Sequence, residues 1–111
     1  MKQTFTCPVE LALDVLGGKW RAVILAHIKE GAVRYADLRR RIPRMSEKML
    51  TQRLRELVAT GLVTQRAGTY QLTARGHRAR AALEALHAWG ESLVAELGVR
   101  IEQPAPQRSN A

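Results

Sequence analysis

The chain holds a single cysteine, Cys7, in 111 residues. No internal disulfide can form, so the fold must rest on packing, and a reducing cytoplasm is the expected setting. His27, His77 and His87 stand without partners at metal-ligand spacing, and one cysteine cannot complete a zinc site, so neither metal nor cofactor is expected. Aromatic residues make up 5% of the chain, too few to suggest stacking on single-stranded RNA. No apolar run approaches the ~20 residues of a membrane span. Met1 to Thr6 lacks the apolar core of a signal peptide, and no membrane partner is expected. No Ser/His/Asp set is visible, and paired carboxylates are missing from the basic region, so an enzyme is not expected. Gly17-Gly18-Lys19 looks like part of a phosphate loop, but Leu13 stands where glycine is needed and Trp20 where Ser or Thr is. It reads as a turn.

What the chain does have is lopsided positive charge. Residues 34–80 carry twelve Lys/Arg against three Asp/Glu, a net of +9, while the rest carry six against seven, a net of −1, which together make the +8 of the whole. The basic residues are spread over several short elements and do not form one face of an apolar helix, so a polyanion such as double-stranded DNA fits better than a membrane surface. Hydrophobic residues at 46% supply a core for one domain.

The pattern along the chain is helix-rich. Pro8, favoured at a first helical position, opens a helix to Leu16 that Gly17-Gly18 ends. Lys19 to Lys29 is apolar nearly all round and reads as a buried central helix. Tyr35 to Ile42 is a short helix stopped by Pro43, with Tyr35, Leu38 and Ile42 inward. Ser46 is an N-cap for a helix to about Thr60, with Leu50, Leu54 and Leu57 as its inner stripe and Gly61 as its C-cap. Leu62–Arg66 and Thr69–Leu72 flank Ala67-Gly68 as a β-hairpin. Thr73 caps a last long helix, Ala74 to about Leu97. The expected fold is mainly α with a small β-hairpin: a winged helix-turn-helix over residues 1–97, with N- and C-terminal dimerisation helices. Residues 98–111, with Pro104 and Pro106, read as a disordered tail.

The face of the 46–60 helix opposite its leucines carries Lys48, Thr51, Gln52 and Arg55. Thr51, Gln52 and Arg55 are the candidate base-reading residues, because Gln and Arg make bidentate contacts to adenine and guanine edges and Thr can bond or touch a thymine methyl. Arg39, Arg40, Arg41, Arg44, Ser46, Lys48 and Arg66 are candidate contacts to the DNA backbone, positioning without specifying. Arg53 has two open roles, a phosphate contact or an internal salt bridge. In the last helix Leu83, Leu86, Gly90, Leu93 and Leu97, widened by Trp89, recur at alternating three and four, a coiled-coil-like seam suited to a two-fold homodimer. Cys7 falls at the N-cap of the first helix, at the positive end of its dipole, a placement that makes a thiol more reactive. Lys2 and Lys19 would add to this and Glu10 would oppose it. Cys7 is therefore a candidate redox sensor, against the alternative of a small, inert cysteine buried under the helix.

Taken in combination, Cys7-Pro8-Val9-Glu10, Leu16-Gly17-Gly18-Lys19-Trp20, Arg34-Tyr35-x-x-Leu38-Arg39, Ser46-x-Lys48-Met49-Leu50-Thr51-x-Arg53-Leu54-Arg55-x-Leu57, Gly61-Leu62-Val63 and Leu72-Thr73-x-x-Gly76 resemble the HxlR-type transcriptional regulators. These winged-helix proteins are similar to the multiple-antibiotic-resistance regulators. The resemblance spans roughly residues 5 to 97. It implies a bacterial-type homodimer on operator DNA, often near its own gene, and some family members sense oxidants, quinones or aldehydes through a cysteine near this position. One departure stands out. Family members usually carry a longer, Pro-containing hairpin with more basic residues, whereas here only Ala67-Gly68 joins the strands and Arg66 is the one obvious wing charge.

The expected function is a sequence-specific DNA-binding regulator, a repressor on a pseudo-palindromic operator. The small-molecule effector is left open. The alternative is a winged helix used as a protein- or RNA-interaction module. A thiol enzyme built on Cys7 is a further rival, for which the chain names no base.

Overall fold

The computed structural model describes residues 3–102. Lys2, and the tail positions 103–111 with Pro104 and Pro106, lie outside the described residues. Helix α1 spans Pro8–Leu16, with Cys7 as an extended N-cap and Pro8 in the first turn. It ends because Gly17 adopts the left-handed conformation (φ 73°), and Gly18 follows at φ 75°, backbone that a Cβ would strain. Helix α2, Gly18–Ile28, buries Ile24, Leu25 and Ile28. Helix α3 covers Tyr35–Arg41 and α4 covers Glu47–Ala59, and Met45 in the turn between them is buried. The Ser46 hydroxyl accepts the Met49 N–H at 3.1 Å. At the other end of α4, Gly61 N–H reaches the Val58 carbonyl and Leu62 N–H the Leu57 carbonyl, a Schellman closure with Gly61 at φ 78°.

Strands β2 (Val63–Arg66) and β3 (Thr69–Leu72) form the expected hairpin. The structure adds a strand that the sequence did not announce: β1, Val33–Arg34, pairs antiparallel with β3, giving the order β1-β3-β2. Two residues are too few to show a period of two, so only the pairing reveals them.

The expected single helix from Ala74 to Leu97 is two helices, α5 (Ala74–Arg78) and α6 (Arg80–Leu97). At the break, the Ala79 N–H bonds the Gly76 carbonyl three residues back. Gly76 sits hard against the wing: a Cβ there would stand 2.2 Å from the Leu62 carbonyl oxygen. Docking α5 this closely forces a change of direction before α6 can lie along α2. Residue Leu83 then faces inward and is 4% exposed. It packs in the same core as Ile24, Leu25, Leu38, Leu50, Leu54 and Leu57. Leu83 therefore leaves the expected dimer seam, because its own domain already covers it. After α6, Gly98 turns the chain at φ 67°, and Glu102 pairs with Arg44, so the part of the expected tail that is described makes a contact with the domain.

Candidate DNA-binding interface

Helix α4 presents its sequence-expected outer face. With Leu50, Leu54 and Leu57 buried, a turn of about 100° per residue places Lys48, Gln52 and Arg55 opposite them, and all three are exposed. Thr51 lies on the flank and is half-buried. The Tyr35 hydroxyl stands 3.1 Å from its Oγ1 and 3.2 Å from the Glu47 carbonyl. Tyr35 was not among the sequence candidates. Its inward position was legible, but its reach across to α4 was not.

Glu56 organises the opposite flank. Its carboxylate accepts from Arg53 Nη1 at 2.8 Å and from Gln52 Nε2 at 3.3 Å, and Arg21 Nε lies 3.6 Å away. Arg21 also donates to the carbonyls of Gly17 and Asp14 at the end of α1. Arg53 makes the internal salt bridge that was one of its two expected roles. Position 53 falls between the outer face and the leucine stripe, where the half-exposed side chain meets Glu56.

The arginines around the turn divide in the same way. Arg39 donates to the Met45 carbonyl and Arg41 to the His27 carbonyl, at 3.1 and 3.2 Å, both half-buried. They tie the turn and the end of α2 together, each through one guanidinium nitrogen. Arg40 is exposed and bonds Asp37. Arg44 is exposed and bonds Glu102 at 2.6 Å. The Ser46 oxygen serves as the cap of α4, which leaves its hydroxyl proton for any outside acceptor. Among the described residues Arg34, Lys48, Arg55 and Arg66 make no ion pair.

The wing carries more charge than the sequence suggested. Arg34 and Arg66 both register opposite Thr69, one from each side. Residues in register share a sheet face, so Arg34, Thr69 and Arg66 form a row, with the two arginines about 10 Å apart at the usual strand spacing. Arg34 was missed because its strand was missed. Between α4 and the hairpin runs a shallow groove lined by Thr51, Arg55, Val58, Gln65 and Tyr70. Burial pushes the Tyr70 hydroxyl above its ordinary pKa, the neighbouring Tyr35 adds to this, and Arg55 opposes it.

Away from this face, α1 exposes Val9, Leu11 and Leu13, and α6 exposes Leu86, Trp89 and Leu97. Gly90 is exposed and Leu93 half-buried. Cys7 is exposed at the N-cap, which overturns the alternative of a cysteine buried under the helix. Glu10 is engaged with the Thr6 N–H and hydroxyl, and the Lys19 ammonium lies over the Trp20 ring at 4.7 Å.

A three-stranded antiparallel sheet, a helix-turn-helix with an exposed basic outer face and a short basic hairpin define a winged helix-turn-helix domain of the DNA-binding kind. The HxlR-like helix-turn-helix family model matches residues 15–97, and the chain belongs to that family of transcriptional regulators. It is 38% identical over 96 residues to the HTH-type transcriptional regulator YtcD of Bacillus subtilis, covering 80% of this chain and 76% of that one. The crystal structure of YtcD superposes with a TM-score of 0.74, covering 81% and 99%. The redox regulator HypR in its oxidized form is 38% identical, with a TM-score of 0.69 and coverage of 78% and 96%. Quinone-bound YodB from B. subtilis is 32% identical, with a TM-score of 0.69 and coverage of 78% and 99%. Among the described residues no helix is long and apolar enough to cross a membrane.

Proposed function

We propose that this regulator acts as a homodimeric repressor in the cytoplasm, without catalysis, on a pseudo-palindromic operator in double-stranded DNA. Two copies of α4 enter successive major grooves about one helical turn apart. The observation that carries this reading is the outer face of α4, where exposed Lys48, Gln52 and Arg55 stand free of the core beside the unpaired wing row of Arg34 and Arg66. Gln52 and Arg55 read base edges, with Thr51 at their flank. Lys48, Arg34 and Arg66 meet phosphates, joined by Arg40 and Arg44 once these exchange Asp37 and Glu102 for DNA. The dimer forms through α1 and α6, with Leu86, Trp89, Gly90, Leu93 and Leu97 in the contact.

Fluorescence-anisotropy binding to the DNA flanking the protein's own gene, against a scrambled duplex, tests this reading. A preference of about a thousandfold or more is expected. Gln52→Ala should flatten that preference; unchanged discrimination removes Gln52 from the base-reading set. Equal binding of native and scrambled DNA by the wild type would favour a protein- or RNA-binding module instead.

A second observation supports regulation through Cys7, which is exposed on the cap of α1. The relatives HypR and YodB are a redox regulator and a quinone-bound protein. Oxidation or alkylation of Cys7 changes dimer geometry and DNA affinity. With one cysteine per chain, any regulatory disulfide crosses subunits or takes a small thiol. Cys7→Ser should abolish the response of operator affinity to peroxide or quinone; a retained response removes Cys7 as the sensor.

A further inference from the structure

We infer that Tyr35 fixes the hydrogen-bonding character of Thr51, so that Thr51 can read a base as an acceptor or through its methyl but never as a donor. Three oxygens meet at this point: Tyr35 Oη lies 3.2 Å from the Glu47 carbonyl and 3.1 Å from Thr51 Oγ1. A carbonyl can only accept, and a phenol and a threonine hydroxyl bring one proton each. If Tyr35 gave its proton to Thr51, its oxygen would face the Glu47 carbonyl lone pair to lone pair. The arrangement that satisfies all three has Tyr35 donating to Glu47 and Thr51 donating to Tyr35. Both protons are then spent inside the protein.

The consequence is chemical. In the major groove guanine offers only the acceptors N7 and O6, whereas adenine N6 and cytosine N4 are donors and thymine carries a methyl. A proton-committed Thr51 has nothing to give guanine. Tyr35 is thus a positioning residue that sets specificity without reaching DNA, by excluding guanine at the base Thr51 faces. This rests on the reading of Thr51 as a base contact proposed above.

The test selects bound duplexes from a randomised double-stranded library with the full chain, as wild type, Thr51→Val and Tyr35→Phe. Thr51→Val locates the position that Thr51 reads. There the wild type should disfavour guanine by about fivefold or more. Tyr35→Phe should shrink that penalty to about twofold, because the freed hydroxyl can turn to DNA even while competing for the Glu47 carbonyl. Wild-type selection of guanine at that position would overturn the inference. So would a Tyr35→Phe profile unchanged in shape, including one with all affinities lowered together, the mark of a merely structural tyrosine. A Thr51→Val profile identical to wild type would instead sink the base-reading role of Thr51, and this inference with it.

Discussion

His27 shows how a single residue can carry a pH response. It is half-buried in α2, and its pKa is held below the ordinary histidine value, first by burial and then by the charge of Arg41. Unfolding returns the ring to about 6.5. Below that value the unfolded chain takes up a proton that the folded chain resists, so stability is full above it and falls with acidification. The melting temperature should therefore drop between pH 7.5 and 5.5, and the drop should be smaller in His27→Gln; an equal drop would assign it to other groups. At this scale the sequence is a partial guide. The cap at Cys7 was legible, because Pro8 marks a helix start by local sterics. The setting of Arg53 was only half legible: Glu56, three residues on along α4, is a local partner, but that Arg21 of α2 joins the same carboxylate shows only in the tertiary structure.

The wing and α5 carry the element-scale lessons. Ala67 (φ 50°) and Gly68 (φ 79°) both lie in the left-handed region, as a two-residue hairpin turn that follows the strand twist requires. Alanine is a poor occupant. Ala67→Asn should stabilise by about 0.5–1 kcal/mol, read as a higher urea midpoint; a lower midpoint would mean the turn is not under this strain. Gly76 makes the opposite case. Helix propensity alone would have Gly76→Ala gain about 1 kcal/mol. A Cβ there would instead stand 2.2 Å from the Leu62 carbonyl oxygen and 3.1 Å from the Leu72 side chain. The variant should lose about 1–3 kcal/mol by denaturant titration, and a gain would show that α5 docks less tightly than described. The hairpin and the α4 caps were visible in the chain because their signals are two to four residues apart. Strand β1 and the break at Ala79 were not, since each depends on what lies across from it.

For the whole molecule, the distribution of apolar surface is decisive. The core takes one side of α6 through Leu83 and leaves Leu86 at 46%, Trp89 at 63% and Leu97 at 65% exposed, while Val9 and Leu13 on α1 are exposed at 65% and 60%. Side chains of this size on two helices need a cover, and a second copy provides it in the proposed dimer. Trp89→Glu should sediment as a monomer and bind a two-half-site operator about a hundredfold more weakly, since the gain from linked half-sites is lost. A dimer of unchanged stability would place the interface elsewhere.

By itself the sequence determined the charge asymmetry, the order of the helices through α4, the inner stripe of α4 and the hairpin turn. All of these follow from local rules, in which a few neighbouring residues dictate backbone and face. Only the tertiary structure decided which arginines are free and which are spent on carbonyls and carboxylates. It also decided that Leu83 belongs to the core, that Arg34 joins Arg66 on the wing and that Tyr35 meets Thr51. Arg41 with His27, Arg44 with Glu102 and Tyr35 with Thr51 join residues far apart in the chain, and a surface side chain's role depends on which other surface comes to rest against it.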